Sequence, residues 1–379
     1  MMRKIAKSEI VILVIFQVIN ILFVYKYSTR FLQNSSIWVL FYLIFLNLFL
    51  ILLYQDFGFV TSGKVNNAIF LLTAILIALG TVLLMRQFDP SRIRVGRFPA
   101  LHDWITRLLD GDYPYVSPTS PSGFPFLFLL ATPFYLLADL GFMQIFALLL
   151  YALLLHRKHD SCNTIPLRTL LLLISAPVFL YEVVTRSDLF SNMVFVLFYL
   201  SMCETRLRNA RTKWLVLAGI AGGLLLATRG IVLLVYVLYF GYMFKDCLSR
   251  GSVFLVGVVV GFCAIVLPFA LWNWQYFMDY GPLAIQTSYL PIWLSLIAVV
   301  SCLYFAAQVK SITGTYRAAG FMLFVVVFLA FAISLMDKGW TASIHDDGFD
   351  ISYFCFALPF LLLTIDYGRT KKNPCHGVA

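Results

Sequence analysis

The chain has 379 residues, of which 61% are hydrophobic and only 12% charged, with a formal net charge of +10. Its mean hydropathy is +0.89. Soluble domains carry about 25% charge and about half apolar residues, so a water-soluble core is excluded and the chain reads as an all-α polytopic membrane protein. The positive balance is assigned to cytoplasmic loops, and no nucleic-acid partner is expected.

After Met1-Met2-Arg3-Lys4 the start is basic, but the apolar run over 10–25 is long and lacks a small-residue cleavage site. It reads as a first membrane helix, not a signal peptide. Apolar runs long enough to span, or nearly so, lie near 8–26, 37–55, 67–86, 124–138, 141–155, 166–182, 189–203, 213–227, 231–244, 252–271, 291–309, 318–336 and 351–366. If 124–138 lies half-embedded in the outer leaflet instead of crossing, most basic residues fall on one side, as the positive-inside rule asks. The clusters are Arg157-Lys158, Arg206 to Lys213, Lys245 to Arg250, Lys310 to Arg317 and the C-terminal tail. The sequence therefore predicts about twelve transmembrane helices with both termini cytoplasmic. Residues 1–66 hold two N-terminal helices, 67–366 the main membrane domain with an outer loop over 87–140, and 367–379 a cytoplasmic tail. No cysteine falls in a predicted outer loop, so no disulfide framework is implied.

The first long outer loop reads "QFDPSRIRVGRFPALHDWITRLLDGDYPYVSPTSPSG". Pro99 opens a helix in which Leu101, Trp104, Ile105, Leu108 and Leu109 keep helical spacing. His102, Asp103, Thr106, Arg107 and Asp110 fill the other face, so the helix is amphipathic and suited to an interface. Asp103 and Arg107 are four apart and predicted to pair. Asp110 ends the helix, with Gly111 placed as a left-handed C-terminal glycine. The Asp110-Gly111-Asp112 triplet is either that turn alone or part of a substrate or metal site.

Most acidic residues fall on the predicted outer side, with His102, His345, Arg94, Arg97, Arg186 and Arg229. Arg229 is a lone charge between apolar runs in "LLLATRGIVLL". Such a residue is expensive in a membrane and is functional or paired unless its loop reaches water. Glu182, Arg186 and Asp188 share one tight connection and either bind a polar ligand or clamp the loop. "DKGWTASIHDDGFDISYF" gathers Trp340, His345, Asp346, Asp347 and Asp350, but no spacing defines a metal site. No phosphate-binding Gly-x-x-x-x-Gly-Lys-Ser/Thr, no His-Glu-x-x-His and no Gly-x-Ser-x-Gly is present.

Several segments together resemble a known family. They are Asp89 at the end of an outward-running helix, "RFPALHDWITRLLDGDYPY" with its Gly-x-x-Pro-Tyr, and "SPSGFPFLFLLATPFYLL". "SAPVFLYEVVTRSDLFSN", "AGGLLLATRG" and "YGPLAIQTSYLP" follow. Over 67–366 this layout resembles the glycosyltransferase C superfamily, multi-spanning transferases that use lipid-linked sugars, and its bacterial mannosyltransferase-like members. The usual acidic pair is incomplete, because Asp89 is followed by Pro90. The resemblance implies a polyprenyl-phosphate-sugar donor, a glycan or lipid acceptor, an extracytoplasmic active site in a bacterial inner membrane, and inversion at the anomeric carbon. It places the general base on Asp89.

Such a transfer needs a base for the acceptor hydroxyl, positive charge for the departing phosphate and a groove open to lipid. Asp89 is the expected base, with Asp103 next. Arg94, Arg97 and Arg229 are the candidates for donor phosphate, since arginine grips phosphate bidentately; Arg94 and Arg97 equally suit lipid head groups. His102, Glu182, Arg186, Asp188, Trp340, His345 and Asp350 are the candidates for sugar and acceptor. No cofactor is expected, nor a divalent metal. Two alternatives stay open: a surface-polysaccharide polymerase or ligase, which shares the outward site, and a lipid or solute transporter. A transporter places its polar groups at mid-membrane in repeated halves, which the sequence lacks.

Overall fold

The computed structural model describes residues 5–31, 35–55, 63–90, 92–93, 96–137, 139–159, 164–207, 210–346 and 348–367. Among them the regular structure is helical, with no β-strand. The helices are α1 (Lys7–Phe31), α2 (Ser35–Tyr54), α3 (Gly63–Gln87), α4 (Phe98–Leu109), α5 (Pro125–Leu137), α6 (Phe142–Lys158), α7 (Ile165–Ile174), α8 (Pro177–Val184) and α9 (Leu189–Arg206). Then come α10 (Thr212–Leu226), α11 (Val232–Phe244), α12 (Leu248–Trp272), α13 (Trp274–Tyr280), α14 (Pro282–Tyr289), α15 (Ile292–Gln308) and α16 (Ile312–Ile344), and, after a 3-10 segment Ile351–Ala357, α17 (Leu358–Leu363).

Among the described residues five helices are long and apolar enough to cross a membrane, and up to eight if each bent pair counts as one span. Large apolar side chains stand exposed along α2, α3, α12 and α15. In water such a surface is a liability; in hydrocarbon it is the ordinary outer face of a helix bundle. The chain is therefore an all-helical protein of the polytopic membrane class.

Two apolar runs that the sequence presents as single helices are broken. The run over 166–182 bends by 67° between α7 and α8. Ala176 there is extended because Pro177 follows it, and proline disfavours the helical region for its predecessor. The run over 351–366 is 3-10 helix followed by α17. α14 and α15 meet at 62°, and α5 and α6 at 110°. α16 runs past its predicted end at 336 and kinks at Gly339, whose φ of 81° suits glycine.

The interfacial helix forms as α4, and its end is a Schellman motif. The Asp112 N–H donates to Arg107 O at 2.9 Å, the Gly111 N–H donates to Leu108 O at 3.2 Å, and Gly111 has φ 85°. The Asp-Gly-Asp triplet thus acts as a helix stop. Leu101, Trp104 and Ile105 are buried, whereas Leu109 is 54% exposed, against expectation. Trp104 stacks on Phe128 of α5 at 4.5 Å and packs on Phe269 of α12.

Contacts sort the helix ends into two groups. At one end Lys26 of α1 reaches Asp346 O, Arg186 reaches Met85 O, and Phe124 N and Phe126 N before and within α5 reach Thr228 O and Ala227 O. At the other, Arg168 caps Leu53 O and Gln55 O, Lys158 caps Leu363 O, Arg317 caps Thr364 O and Arg250 caps Leu207 O and Ala210 O. Cations on the free carbonyls of helix C-termini are favourable.

α10 and α12 pack closely through two small-residue ladders that the sequence reading overlooked, Gly219 with Gly223 and Gly257 with Gly261. A Cβ on any of the four would run into backbone of the facing helix, the close approach expected of Gly-x-x-x-Gly pairs. Replacing Gly257 by Leu should cost about 3 kcal/mol or more. A Gly80→Leu control, where a Cβ meets nothing within 4 Å, should leave the melting temperature in detergent unchanged.

Candidate functional site

The site is organised by the turn joining α8 to α9. Arg186 takes a positive φ of 47° there. Its Nη1 donates to Phe88 O and Val184 O, its Nη2 to Met85 O and Asp139 Oδ2, and its Nε to Asp139 Oδ1, at 2.8–3.3 Å. A guanidinium has five N–H donors, so Arg186 has none left for a ligand. It clamps the end of α3 and the loop before α6 onto this turn. Gly96, at φ 91°, lies so close to Thr185 that a side chain would clash, which holds the segment after Asp89 on the same turn.

Next along the turn, Asp188 meets Arg229. The carboxylate Oδ2 accepts from both Nε and Nη2 of Arg229, and both side chains are almost fully buried. Phe356 lies 5.8 Å from the guanidinium carbon. Asp188 Oδ1 has no hydrogen-bond partner. Buried Glu182 accepts the Phe190 N–H through Oε2 at 3.0 Å, and the Ser187 hydroxyl lies close to its carboxylate.

A second pair lies beside the first. Arg97 donates to Asp350 Oδ2 at 2.9 Å and to Ser122 Oγ at 2.8 Å, and its guanidinium covers the Tyr353 ring at 4.7 Å. Asp350 also caps the 3-10 segment, its Oδ1 accepting from the Ser352 N–H and hydroxyl. Burial pushes the Asp350 carboxyl up, but the Arg97 guanidinium and the Ser352 donors outweigh it and hold it below the usual carboxylate range. The Asp350 contacts therefore contribute stability above the ordinary carboxylate pKa and lose it as pH falls through the lower native one.

Of these four charged residues Arg229 lines a cavity of about 240 Å³, and Tyr353, beneath the Arg97 guanidinium, lines it too. Its wall is apolar along α11, α14, α15 and α16, with Leu234, Val299, Val326 and Val327 among the lining residues. Arg229, Gln286, Tyr353 and Phe356 stand at its head. Gln286 bridges two loops, donating to Ser122 O at 2.8 Å and accepting the Gly230 N–H at 3.0 Å. Exposed Leu233, Leu283 and Thr287 mark the open side. Arg229 Nη1 makes no hydrogen bond to the described residues, although Arg229 lines this cavity.

The predicted site residues separate into groups. Arg97, Glu182, Asp188, Arg229 and Asp350 come together, and Arg186 supports them. Asp89 follows the Phe88 carbonyl that Arg186 holds and pairs with Arg92 at 3.2 Å; the two side chains are 48% and 86% exposed. Asp103 is engaged elsewhere: it accepts from the Ser117 and Thr119 hydroxyls and pairs with Arg107 at 3.7 Å. His102 is exposed and packs against Phe98 and Tyr135. Trp340 and His345 pack on Tyr25 of α1, with His345 Nδ1 3.4 Å from the Thr29 hydroxyl. Arg94 lies outside the described residues. Among those described, no group of three or more His, Cys, Asp and Glu is placed to hold a metal ion.

Sequence reasoning missed Ser122, Tyr353 and Lys26. Lys26 is buried at the end of α1, donates to Asp346 O and lies near enough to Asp350 to favour its charge. A lysine ending an apolar helix of the N-terminal pair was the available signal.

No protein-family model, curated protein or solved structure matches the chain.

Two outcomes test the ion pairs. Asp188→Asn strands a buried guanidinium and should destabilise the purified protein by about 3–5 kcal/mol. Asp350→Asn should cost less, about 1–2 kcal/mol, because that pair is partly exposed. It should also flatten the fall in wild-type melting temperature as pH drops from about 5 to 3.

Proposed function

We propose that this chain is an integral-membrane inverting glycosyltransferase. It moves a hexose from a polyprenyl-phosphate donor to an envelope glycan or lipid acceptor on the extracytoplasmic face of a bacterial inner membrane. The observation that carries this is the apolar cavity headed by a guanidinium edge that makes no hydrogen bond to the described residues. An apolar tail suits the wall, and a phosphate suits Arg229 Nη1 beside Gln286 and Tyr353. The resemblance to the glycosyltransferase C superfamily agrees with both.

In this reading the acceptor hydroxyl oxygen attacks the anomeric carbon and its proton passes to the Asp89 carboxylate. The bond from the anomeric carbon to the phosphate oxygen breaks, and polyprenyl phosphate leaves with the electron pair. Asp89 is suited because its side chain is half exposed at the end of α3, within reach of an acceptor from the aqueous side. Arg97 and Asp350 position the loop beside the reacting sugar. Asp103 is the reserve base, although its bonds to Ser117 and Thr119 tie it to the loop.

Twelve crossings, with both termini cytoplasmic, fit the two groups of helix ends if α5 does not cross. The 110° bend between α5 and α6 supports that exception. A reporter fused after Cys162 should then read cytoplasmic; an external reading contradicts the topology.

The activity test is polyprenyl-phosphate release in nanodiscs, from a panel of polyprenyl-phosphate sugars with cell-envelope acceptors. Asp89→Asn should slow release by about 100-fold or more with an unchanged melting temperature. Equal release from wild type and variant moves the base to another carboxylate.

A further inference from the structure

The opposite end of the bundle carries a second groove of about 330 Å³, formed by α1, α15, α16 and α17. Ser8, Val11, Ile12 and Ile15 form one wall, and Phe305, Ala318, Phe321 and Met322 the other. Val11, Phe305 and Phe321 are exposed, so the groove opens onto the apolar outer face of the bundle. Nearly all of its lining is apolar, and Arg317 is the one charged residue in it.

Arg317 is under-used. It donates to the Ser8 hydroxyl at 3.0 Å and to Thr364 O at 3.1 Å. Its Nε is buried without a hydrogen-bond partner. Among the described residues no carboxylate lies in ion-pair range of it. Glu9 is turned to the Asp366 N–H and to Tyr54. Two exposed cations flank the groove: Lys7 precedes Ser8, and Lys310 precedes the N-cap Ser311 of the 33-residue α16. The positive end of that helix dipole adds to it.

An apolar trough open to the hydrocarbon face, with a guanidinium at its polar end that has no carboxylate in ion-pair range among the described residues, complements a lipid with an anionic head. We propose that this groove holds one anionic phospholipid, its phosphate on Arg317 and one acyl chain along α1 and α16. The site is separate from the cavity at the other end. It depends only on the membrane character of the chain, so the transferase reading and this one stand or fall apart.

The test is native mass spectrometry of the intact chain in detergent, titrated with phosphatidylglycerol or phosphatidylcholine of the same acyl chains. Wild type should retain one phosphatidylglycerol, with about a 10-fold preference over phosphatidylcholine. Arg317→Gln should reduce that preference to about 2-fold or less. Ala318→Phe, which fills the groove but keeps the arginine, should remove the bound lipid. Arg157→Gln, an exposed arginine at the same end, should change nothing. Equal retention of both lipids by wild type overturns the proposal without recourse to a variant. So does an undiminished preference in Arg317→Gln, or an equal loss in Arg157→Gln.

Discussion

Everything at the charged end of this bundle depends on Arg186. It sits in a left-handed turn between two apolar helices, and its donors go to the last carbonyls of α3, to Asp139 and to its own turn. Helix ends leave carbonyls without partners, and in an apolar setting each must be met from within the chain. Arg186 meets them and pins the first long loop to the α8–α9 turn. Asp188, two residues on, is thereby aimed into the bundle at Arg229.

From that turn the charges are arranged in partnered steps. Asp188 holds Arg229, and Asp350 holds Arg97, with Glu182 between helices nearby. A buried charge without a partner costs several kcal/mol, so each arginine needs its carboxylate for the fold to tolerate it. One edge of Arg229 nevertheless makes no hydrogen bond to the described residues at the head of an apolar cavity. Helix breaks bring these groups together: Pro177 turns α8, and the 3-10 segment after Asp350 carries Tyr353 and Phe356 to the cavity.

Much of this was legible in the sequence where one local signal decides the outcome. Helical spacing and Gly111 announce α4 and its end. A lone Arg229 between apolar runs signals a paired or functional charge. The partners were not legible, because they come from far away: Asp188 lies 41 positions from Arg229, and Asp350 lies 253 from Arg97. Nor was the 3-10 stretch at 351–357, since an apolar run without contrast has the same pattern in either helix type. The glycines of α10 and α12 were in plain view, and their spacing was the missed cue.

The central claim is that the cavity headed by Arg229 receives a polyprenyl phosphate. It is tested most directly with a photoreactive polyprenyl phosphate, crosslinked to the protein in nanodiscs and mapped by peptide sequencing. Labels on the α11, α14 and α16 segments that line the cavity, competed by unlabelled polyprenyl phosphate and weakened in Arg229→Gln, are the predicted result. Labels scattered over the exposed faces of α2, α3 and α12, indifferent to competitor and to Arg229, would contradict it.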